Sequence, residues 1–158
     1  MRLPGARRER GGSARILFPF LGSVVSASSL EAILRLARAQ DATLIPAYIA
    51  VVPPALSLEA PLGGECEGAL ALLELIEQRA TRAGVPVDSR IQRARSPRHA
   101  LELLGAEERF DSTVLPARTS SSDGFGPADV AWALESVPGE VLVLRPRQDS
   151  DDPSARTT

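Results

Sequence analysis

Short apolar segments and amphipathic segments alternate along the middle of the chain. Ile16–Leu21 and Thr43–Val51 are nearly continuous apolar runs, typical of strands that are covered on both faces. Val85–Arg93 instead alternates apolar and polar residues, as an edge strand does. Pro46 cannot donate a ladder hydrogen bond, so the second strand is expected to begin or bulge there. The pattern predicts five strands, at residues 16–21, 43–51, 85–93, 111–116 and 141–144.

Residues at helical spacing lie between these strands. The first predicted helix carries one apolar stripe, formed by Leu30, Ile33, Leu34 and Ala37. A second, longer amphipathic helix ends at Gly84, where a glycine commonly terminates a helix. Ser96 and Pro97 supply an N-cap and a first-turn proline for the third helix. The segment Pro127–Ser136 is predicted to form the fourth helix.

The alternation of strands with helices predicts an α/β fold. Right-handed crossovers between parallel strands give an open, doubly wound, Rossmann-like sheet with helices on both faces. Such sheets bind ligands beyond the carboxyl ends of their strands, where the strand order reverses. We therefore expect any ligand site to be formed by the turns after the first and fourth strands.

Length and composition limit the possible classes of protein. A chain of 158 residues predicts one domain, at residues 15–147, between two tails, 1–14 and 148–158, that are expected to be disordered. A net charge of −2 argues against binding to nucleic acid or to an anionic membrane. All 18 basic residues are arginines, so Schiff-base chemistry and lysine-dependent phosphate loops are excluded.

The sequence contains no recognisable catalytic or metal-binding constellation. Its single histidine, His99, and single cysteine, Cys66, cannot build a catalytic triad or a metal cluster. A lone cysteine fits a reducing compartment, and no apolar run is long enough to span a bilayer. These observations predict a cytoplasmic location.

Several short fragments occur in the order and at the separations seen in a known family. They are Arg15–Pro19, Gly22-Ser23, Ala83–Val87, Ser96-Pro97, Asp111 with Val114 and Leu115, and Pro138 with Val141–Val143. Together they resemble the universal stress protein family over about residues 15–146. The resemblance implies a five-stranded parallel sheet of order 3-2-1-4-5, like the adenine nucleotide alpha hydrolases, and often a dimer.

The resemblance also implies a nucleotide motif, from which this chain departs. Family members that bind ATP carry an Asp after the first strand and a glycine-rich loop after the fourth, because glycines let backbone N–H groups approach phosphates. Here Leu21 stands where Asp is expected, and Pro116 stands in place of a Gly. Gly126-Pro127 is the nearest match to the motif's final Gly-Ser. Tight ATP binding is therefore not expected.

A polar loop remains at the expected site. It is either a site for a small anion or an altered nucleotide, or a solvated surface loop without a ligand. The candidate binding residues are Phe20, Gly22, Ser23, Arg118, Thr119, Ser120, Ser121, Ser122, Gly124 and Gly126. No metal and no required cofactor is predicted, although an adenine nucleotide such as ATP is a candidate for weak binding.

The last strand predicts a contact with a second chain. In the implied order it lies at an edge of the sheet, yet its sequence is that of a fully buried strand, and an apolar edge favours pairing. The predicted homodimer interface consists of Val141, Leu142, Val143 and Leu144. Apart from the second copy, the expected partner of the module is a small anionic ligand or another protein.

These observations predict a non-enzymatic regulatory or binding module, dimeric and without tight ATP binding. Two alternatives stay open. The chain could bind ATP or AMP through an atypical loop, or it could be a weak nucleotide phosphohydrolase that depends on Arg118.

Overall fold

Five strands and four helices alternate along the described chain. The structure is a computed structural model that describes residues 14–61, 63–120 and 123–146. The strands are β1 Arg15–Phe20, β2 Thr43–Val51, β3 Arg90–Ala94, β4 Ser112–Pro116 and β5 Glu140–Leu144. The helices are α1 Ala27–Ala39, α2 Glu65–Arg82, α3 Pro97–Glu107 and α4 Pro127–Ser136.

All five strands are parallel and lie in the order β3-β2-β1-β4-β5, so the predicted fold class and strand order are confirmed. Helices cover both faces. Phe18 packs with α1 and α2 in one core cluster, whereas Leu17 packs with α3 and α4 in the other. Neighbouring residues of β1 therefore enter opposite cores, as the two-residue period of a strand requires.

Local sequence signals explain where two helices begin. The Ser26 Oγ accepts a hydrogen bond from the Ser29 N–H at 3.1 Å and caps α1. The Ser96 Oγ accepts one from the His99 N–H at 3.1 Å, and Pro97 opens α3, as the sequence predicts. The His99 ring is itself engaged, because its Nδ1 accepts the Arg95 backbone N–H at 3.1 Å.

Pro46 alters the sheet in a way that differs from the prediction. Strand β2 begins at Thr43 and runs through Pro46, which pairs with Phe18 of β1. On its other side β2 touches Val87 in one isolated bridge and then pairs with β3 only from Arg90 onward. The gap lies opposite the proline that lacks an N–H donor. As a result β3 is shorter than the predicted 85–93.

The amino end of the sheet is held by a network of charges. Glu108, just after α3, accepts hydrogen bonds from Arg15 of β1 and from Arg90 of β3, the latter at 2.9 and 3.1 Å. Arg90 also donates to Asp88 at 2.6 Å. That hydrogen bond is the main reason that the pKa of Asp88 is lowered and the pKa of Arg90 is raised. The network ties α3 to two strands.

Strand β5 is less buried than its sequence predicts. In the single chain Val141, Leu142 and Leu144 are half-buried, and Val143 is 40% exposed, because among the described strands β5 has one neighbour, β4. The residues of both predicted tails lie outside the described chain, except for Ala14. The Ala14 carbonyl accepts the Thr43 N–H at 2.8 Å, so this residue continues the sheet. None of the described helices is both long and apolar enough to cross a membrane.

Candidate functional site

The carboxyl ends of β1 and β4 form the switch point of the sheet. From β1 the chain proceeds to β2 on one side, and from β4 it proceeds to β5 on the other. The loop after β1 contains Gly22 and Ser23, and the loop after β4 spans residues 117–126, called the switch loop below. Ligands bind at this place in wound sheets, so the geometry of these two loops defines the candidate site.

The switch loop turns back and attaches to the end of β4. The Phe125 N–H donates to the Pro116 carbonyl at 2.8 Å, and the Arg118 N–H donates to the Phe125 carbonyl at 2.9 Å. Ala117 and Phe125 thereby form a short parallel bridge. The Phe125 ring is buried in the core beneath α3 and α4. This anchor fixes the far end of the loop directly before α4.

Gly124 is a packing requirement of this turn. A Cβ at Gly124 would lie 2.6 Å from the Pro116 carbonyl oxygen and 2.7 Å from the Arg118 backbone nitrogen. Both contacts are with backbone atoms, which cannot move aside as a flexible side chain can. The close approach of two backbone segments therefore accounts for the glycine.

Gly22 is covered by a carboxylate from the switch loop. Its φ of +73° is in the left-handed region, which favours glycine. A Cβ at this position would collide with the Asp123 carboxylate, so that side chain lies directly against the Gly22 backbone. The candidate site therefore contains an acidic group at the carboxyl end of β1. Asp123 was absent from the predicted site residues, although it is the single acidic residue of the switch loop.

Gly126 is covered by a guanidinium. It is the N-cap of α4 and has no side-chain cap of its own. The Arg118 Nη2 lies 2.6 Å from where a Gly126 Cβ would be, so the guanidinium rests on the start of the helix. No ion pair joins Arg118 to another residue within 14–61, 63–120 or 123–146. A guanidinium next to the positive end of a helix dipole is a favourable environment for an anion.

The structure separates the remaining predicted site residues. Phe20 is 1% exposed and packs against Phe18 and Tyr48, so its side chain belongs to the core. Ser23 is exposed and lies close to Gly68 of α2. Thr119 is half-buried and Ser120 is exposed. The predicted residues Ser121 and Ser122 lie outside the described chain.

The start of α4 is also fixed to α3. The Arg98 Nε donates to the Asp129 carboxylate at 2.7 Å, and the Arg98 guanidinium lies 5.8 Å from the centre of the Trp132 ring. Trp132 therefore packs between the two helices. In the described residues no group of three or more His, Cys, Asp or Glu side chains is arranged to hold a metal ion.

Comparison with known proteins identifies the class to which this fold and site belong. The profile of the Universal stress protein family matches residues 13–144. A universal stress protein from Burkholderia pseudomallei aligns with a TM-score of 0.60 and 22% identity, covering 84% of this chain and 96% of that one. A universal stress protein family protein from Arabidopsis thaliana, solved with AMP bound, aligns with a TM-score of 0.59 and 14% identity, covering 89% and 98% of the two chains.

A third structure is a universal stress protein in complex with cAMP. It aligns with a TM-score of 0.54 and 22% identity, and the alignment covers 84% of this chain and 97% of that chain. A search of curated proteins gave no significant match. The family profile covers most of the chain, so this protein belongs to the universal stress protein family, as the sequence fragments indicate.

Proposed function

We propose that this family member is a non-enzymatic regulatory module that lacks tight ATP binding and acts as a dimer. The observation that supports the lack of tight ATP binding is that charged side chains of the protein itself cover Gly22 and Gly126. Asp123 lies on Gly22, and Arg118 lies on Gly126. A phosphate that approached the Gly22 backbone closely would have to displace the Asp123 carboxylate, and at Gly126 it would meet the Arg118 guanidinium before it reached the backbone.

Asp123 makes the site selective against highly charged ligands. Two like charges at about 4 Å repel by about 1 kcal/mol in water and about 4 kcal/mol at the effective dielectric of a protein surface. This range corresponds to a loss of affinity of about fivefold to a thousandfold for one phosphate charge. A triphosphate must place three phosphates on backbone that Asp123 and Arg118 already cover, whereas a monophosphate has to place one. The geometry therefore favours monophosphates over ATP, also when Mg²⁺ neutralises part of the ATP charge.

A second candidate function follows from the same contact. Binding of an adenine monophosphate is supported by the guanidinium of Arg118 at the start of α4, which forms no ion pair within the described residues, and by the AMP and cAMP complexes of two structural neighbours. The expected affinity is low, because Asp123 must move or be neutralised first.

Thermal unfolding with Mg-ATP, AMP and cAMP tests both candidates. A ligand at a hundred times its dissociation constant stabilises the folded protein by about 2.7 kcal/mol. We expect no shift of the melting temperature with Mg-ATP and a small shift with AMP or cAMP. Asp123→Asn should enlarge the AMP shift, and Arg118→Gln should remove it. Glu135→Gln, an exposed acid at the far end of α4, is the matched control and should change nothing.

A large stabilisation of the unaltered protein by Mg-ATP would contradict the proposal. The remaining alternative, a phosphohydrolase, would appear as phosphate release above a buffer control that disappears in Arg118→Gln. Continued release in that variant would point to a contaminating enzyme.

The proposed dimer is supported by the outer edge of β5, with which no described strand pairs. Val143 is 40% exposed there, although a side chain of this kind is stabilised by burial. We propose that two copies pair through this strand. Light scattering should give about twice the chain mass of 16.8 kDa. Val143→Lys should give the monomer mass, whereas Ile91→Lys, at an exposed site on the opposite edge strand, should leave the dimer intact.

The proposed location is the cytoplasm. Cys66 is the single cysteine of the chain and is buried as a free thiol. A small protein without a disulfide suits a reducing compartment. Fractionation of cells that express the tagged full chain would test this location.

A further inference from the structure

A cleft of about 680 Å³ opens at the amino end of the sheet. Its floor is formed by Leu17 of β1 and Thr113 of β4, which are register partners. Its sides come from the second half of α3 and from the turn at residues 137–139 between α4 and β5. The switch point lies at the other end of the same strands. This amino-end cleft is therefore separate from the site discussed above.

Apolar and polar residues both line the amino-end cleft. Leu101, Phe110 and Val137 line it, and they pack around Leu17 in the core beneath α3 and α4. Pockets that bind small organic molecules have volumes of roughly 300–1,000 Å³ and combine apolar side chains with a few polar groups. The cleft has ample room for a small molecule built around one ring, and its lining offers such a molecule both apolar and polar contacts.

Thr113 is the polar group on the floor. Its side chain is 1% exposed, yet no hydrogen bond joins its hydroxyl to another group of the described chain. Buried hydroxyls are nearly always hydrogen-bonded in native proteins, because an unpaired one costs folding free energy. A molecule in the cleft can supply the missing partner.

The charges around the cleft leave one cation available. Four charged residues line it, and three are engaged: Arg15 pairs with Glu108, and the Asp111 carboxylate accepts the Arg15 backbone N–H at 2.7 Å. Arg109 is exposed and forms no ion pair with any other residue in the described ranges. The complementary ligand group is an anion that a guanidinium can bind, such as a carboxylate.

We propose that the amino-end cleft binds a small aromatic carboxylic acid with a second polar atom on its ring. The carboxylate pairs with Arg109 at the rim. The ring packs between Leu101 and Phe110. The second polar atom exchanges a hydrogen bond with the Thr113 hydroxyl.

The test uses 4-hydroxyphenylacetate and two relatives that each lack one polar group. Phenylacetate has no ring hydroxyl, and 4-hydroxyphenylacetamide has no charge. Titration of the 15N-labelled full chain should shift amide signals within residues 101–113 and 137–139. The hydroxylated acid should bind about 2- to 10-fold more tightly than phenylacetate, the effect of one neutral hydrogen bond, and about tenfold more tightly than the amide.

Three variants assign these preferences to residues. Arg109→Gln should weaken the acid about tenfold and remove its advantage over the amide. Thr113→Val should remove the advantage over phenylacetate and also raise the melting temperature, because it replaces an unpaired buried hydroxyl with a methyl group. Gly105→Phe should abolish binding, since a Cβ at Gly105 meets no other atom within 4 Å and a larger side chain there can enter the cleft.

Arg79→Gln, an exposed arginine of α2 on the opposite face, is the control for loss of charge and should bind as the unaltered protein does. Three results would overturn the proposal. The first is the absence of any amide-signal shift at probe concentrations well above millimolar. The second is unchanged binding by a folded Gly105→Phe variant, and the third is a lower melting temperature of Thr113→Val.

Discussion

The same substitution, Gly→Ala, is expected to have opposite effects at two glycines of this fold. At Gly124 the new Cβ would lie 2.6–2.7 Å from backbone atoms of residues 116–118, a distance that real Cβ atoms do not tolerate. At Gly105, inside α3, a Cβ would meet nothing within 4 Å. Neither glycine has a positive φ, so the difference arises from packing and not from backbone torsion.

The magnitudes follow from the contacts that must move. Relief of the clash at Gly124 stretches two hydrogen bonds, from Phe125 to Pro116 and from Arg118 to Phe125, each worth about 1 kcal/mol. It also shifts the buried Phe125 ring, and partial loss of that packing adds about 1–2 kcal/mol, since complete truncation of a core Phe costs about 3–5. Gly124→Ala should therefore lower the free energy of unfolding by about 2–4 kcal/mol. Gly105→Ala should raise it by about 0.5–1 kcal/mol.

Urea denaturation measures both changes. The fluorescence of Trp132, the single tryptophan, reports on the contact between α3 and α4, and circular dichroism reports on the helices. Both probes should give the same midpoint if unfolding is two-state. A Gly124→Ala variant as stable as the unaltered protein would refute the packing explanation of this glycine. In that case a role for Gly124 in ligand binding would again be needed to explain it.

Two further predictions concern the charge network at the amino end. Glu108→Gln weakens the charge-assisted hydrogen bonds that Glu108 accepts from Arg15 and Arg90. Urea denaturation at pH 7 should show a free energy of unfolding that is lower by about 1–2 kcal/mol, and the decrease should be smaller in 1 M salt. The pKa of Asp88 is lowered, chiefly because its carboxylate accepts a hydrogen bond from Arg90. The ionised carboxylate therefore stabilises the fold at pH values above its ordinary pKa of 3.8, and this stabilisation is lost as the pH falls through the lower pKa of the folded state. Asp88→Asn should therefore be less stable than the unaltered protein at pH 7, and the two melting temperatures should converge in acid; a constant gap down to pH 2 would contradict this.

The layered architecture was predictable because its signals are local. All four residues of the predicted first stripe, at positions 30, 33, 34 and 37, are buried. Ser96 and Pro97 begin a helix in the predicted manner. Helical and strand periods describe residues a few positions apart, so a single sequence contains them in full. The predicted start of β3 was wrong because the pairing of β3 with β2 depends on Pro46, a residue of β2 about forty positions earlier in the chain.

The candidate site was predictable in position but not in detail. The switch point follows from the strand order, whereas the contacts of Asp123 with Gly22 and of Arg118 with Gly126 follow from how one loop folds. That fold depends on burial of Phe125 beneath α3 and α4, a contact with elements far away in the sequence. The burial of the Phe20 side chain was not predictable for a related reason: a continuous apolar run does not reveal which side chains reach the surface.

The amino-end cleft had no signal in the sequence. Its lining comes from β1, α3, β4 and the turn before β5, and the family fragments within these segments indicate the fold but not a ligand at this end of the sheet. A threonine in a strand is ordinary on either face, so Thr113 becomes informative only when its burial and its lack of a described hydrogen-bond partner are both known.

One loop conformation links the two charged contacts of the switch point. Gly124 is pressed against the backbone at the end of β4, so a phosphate cannot approach it from that side. Asp123 and Gly126 lie on either side of Gly124. The position of Asp123 over Gly22 and the position of Gly126 beneath Arg118 therefore follow from the packing of Gly124. Removal of the Asp123 charge alone leaves the switch loop attached to β4. The substitution therefore exposes no new backbone N–H groups that could bind a phosphate. We therefore expect Asp123→Asn to improve binding of AMP or cAMP through Arg118 without creating a site for ATP. Strong Mg-ATP binding by that single variant would mean that electrostatic repulsion, and not the folded position of the switch loop, had been the only barrier.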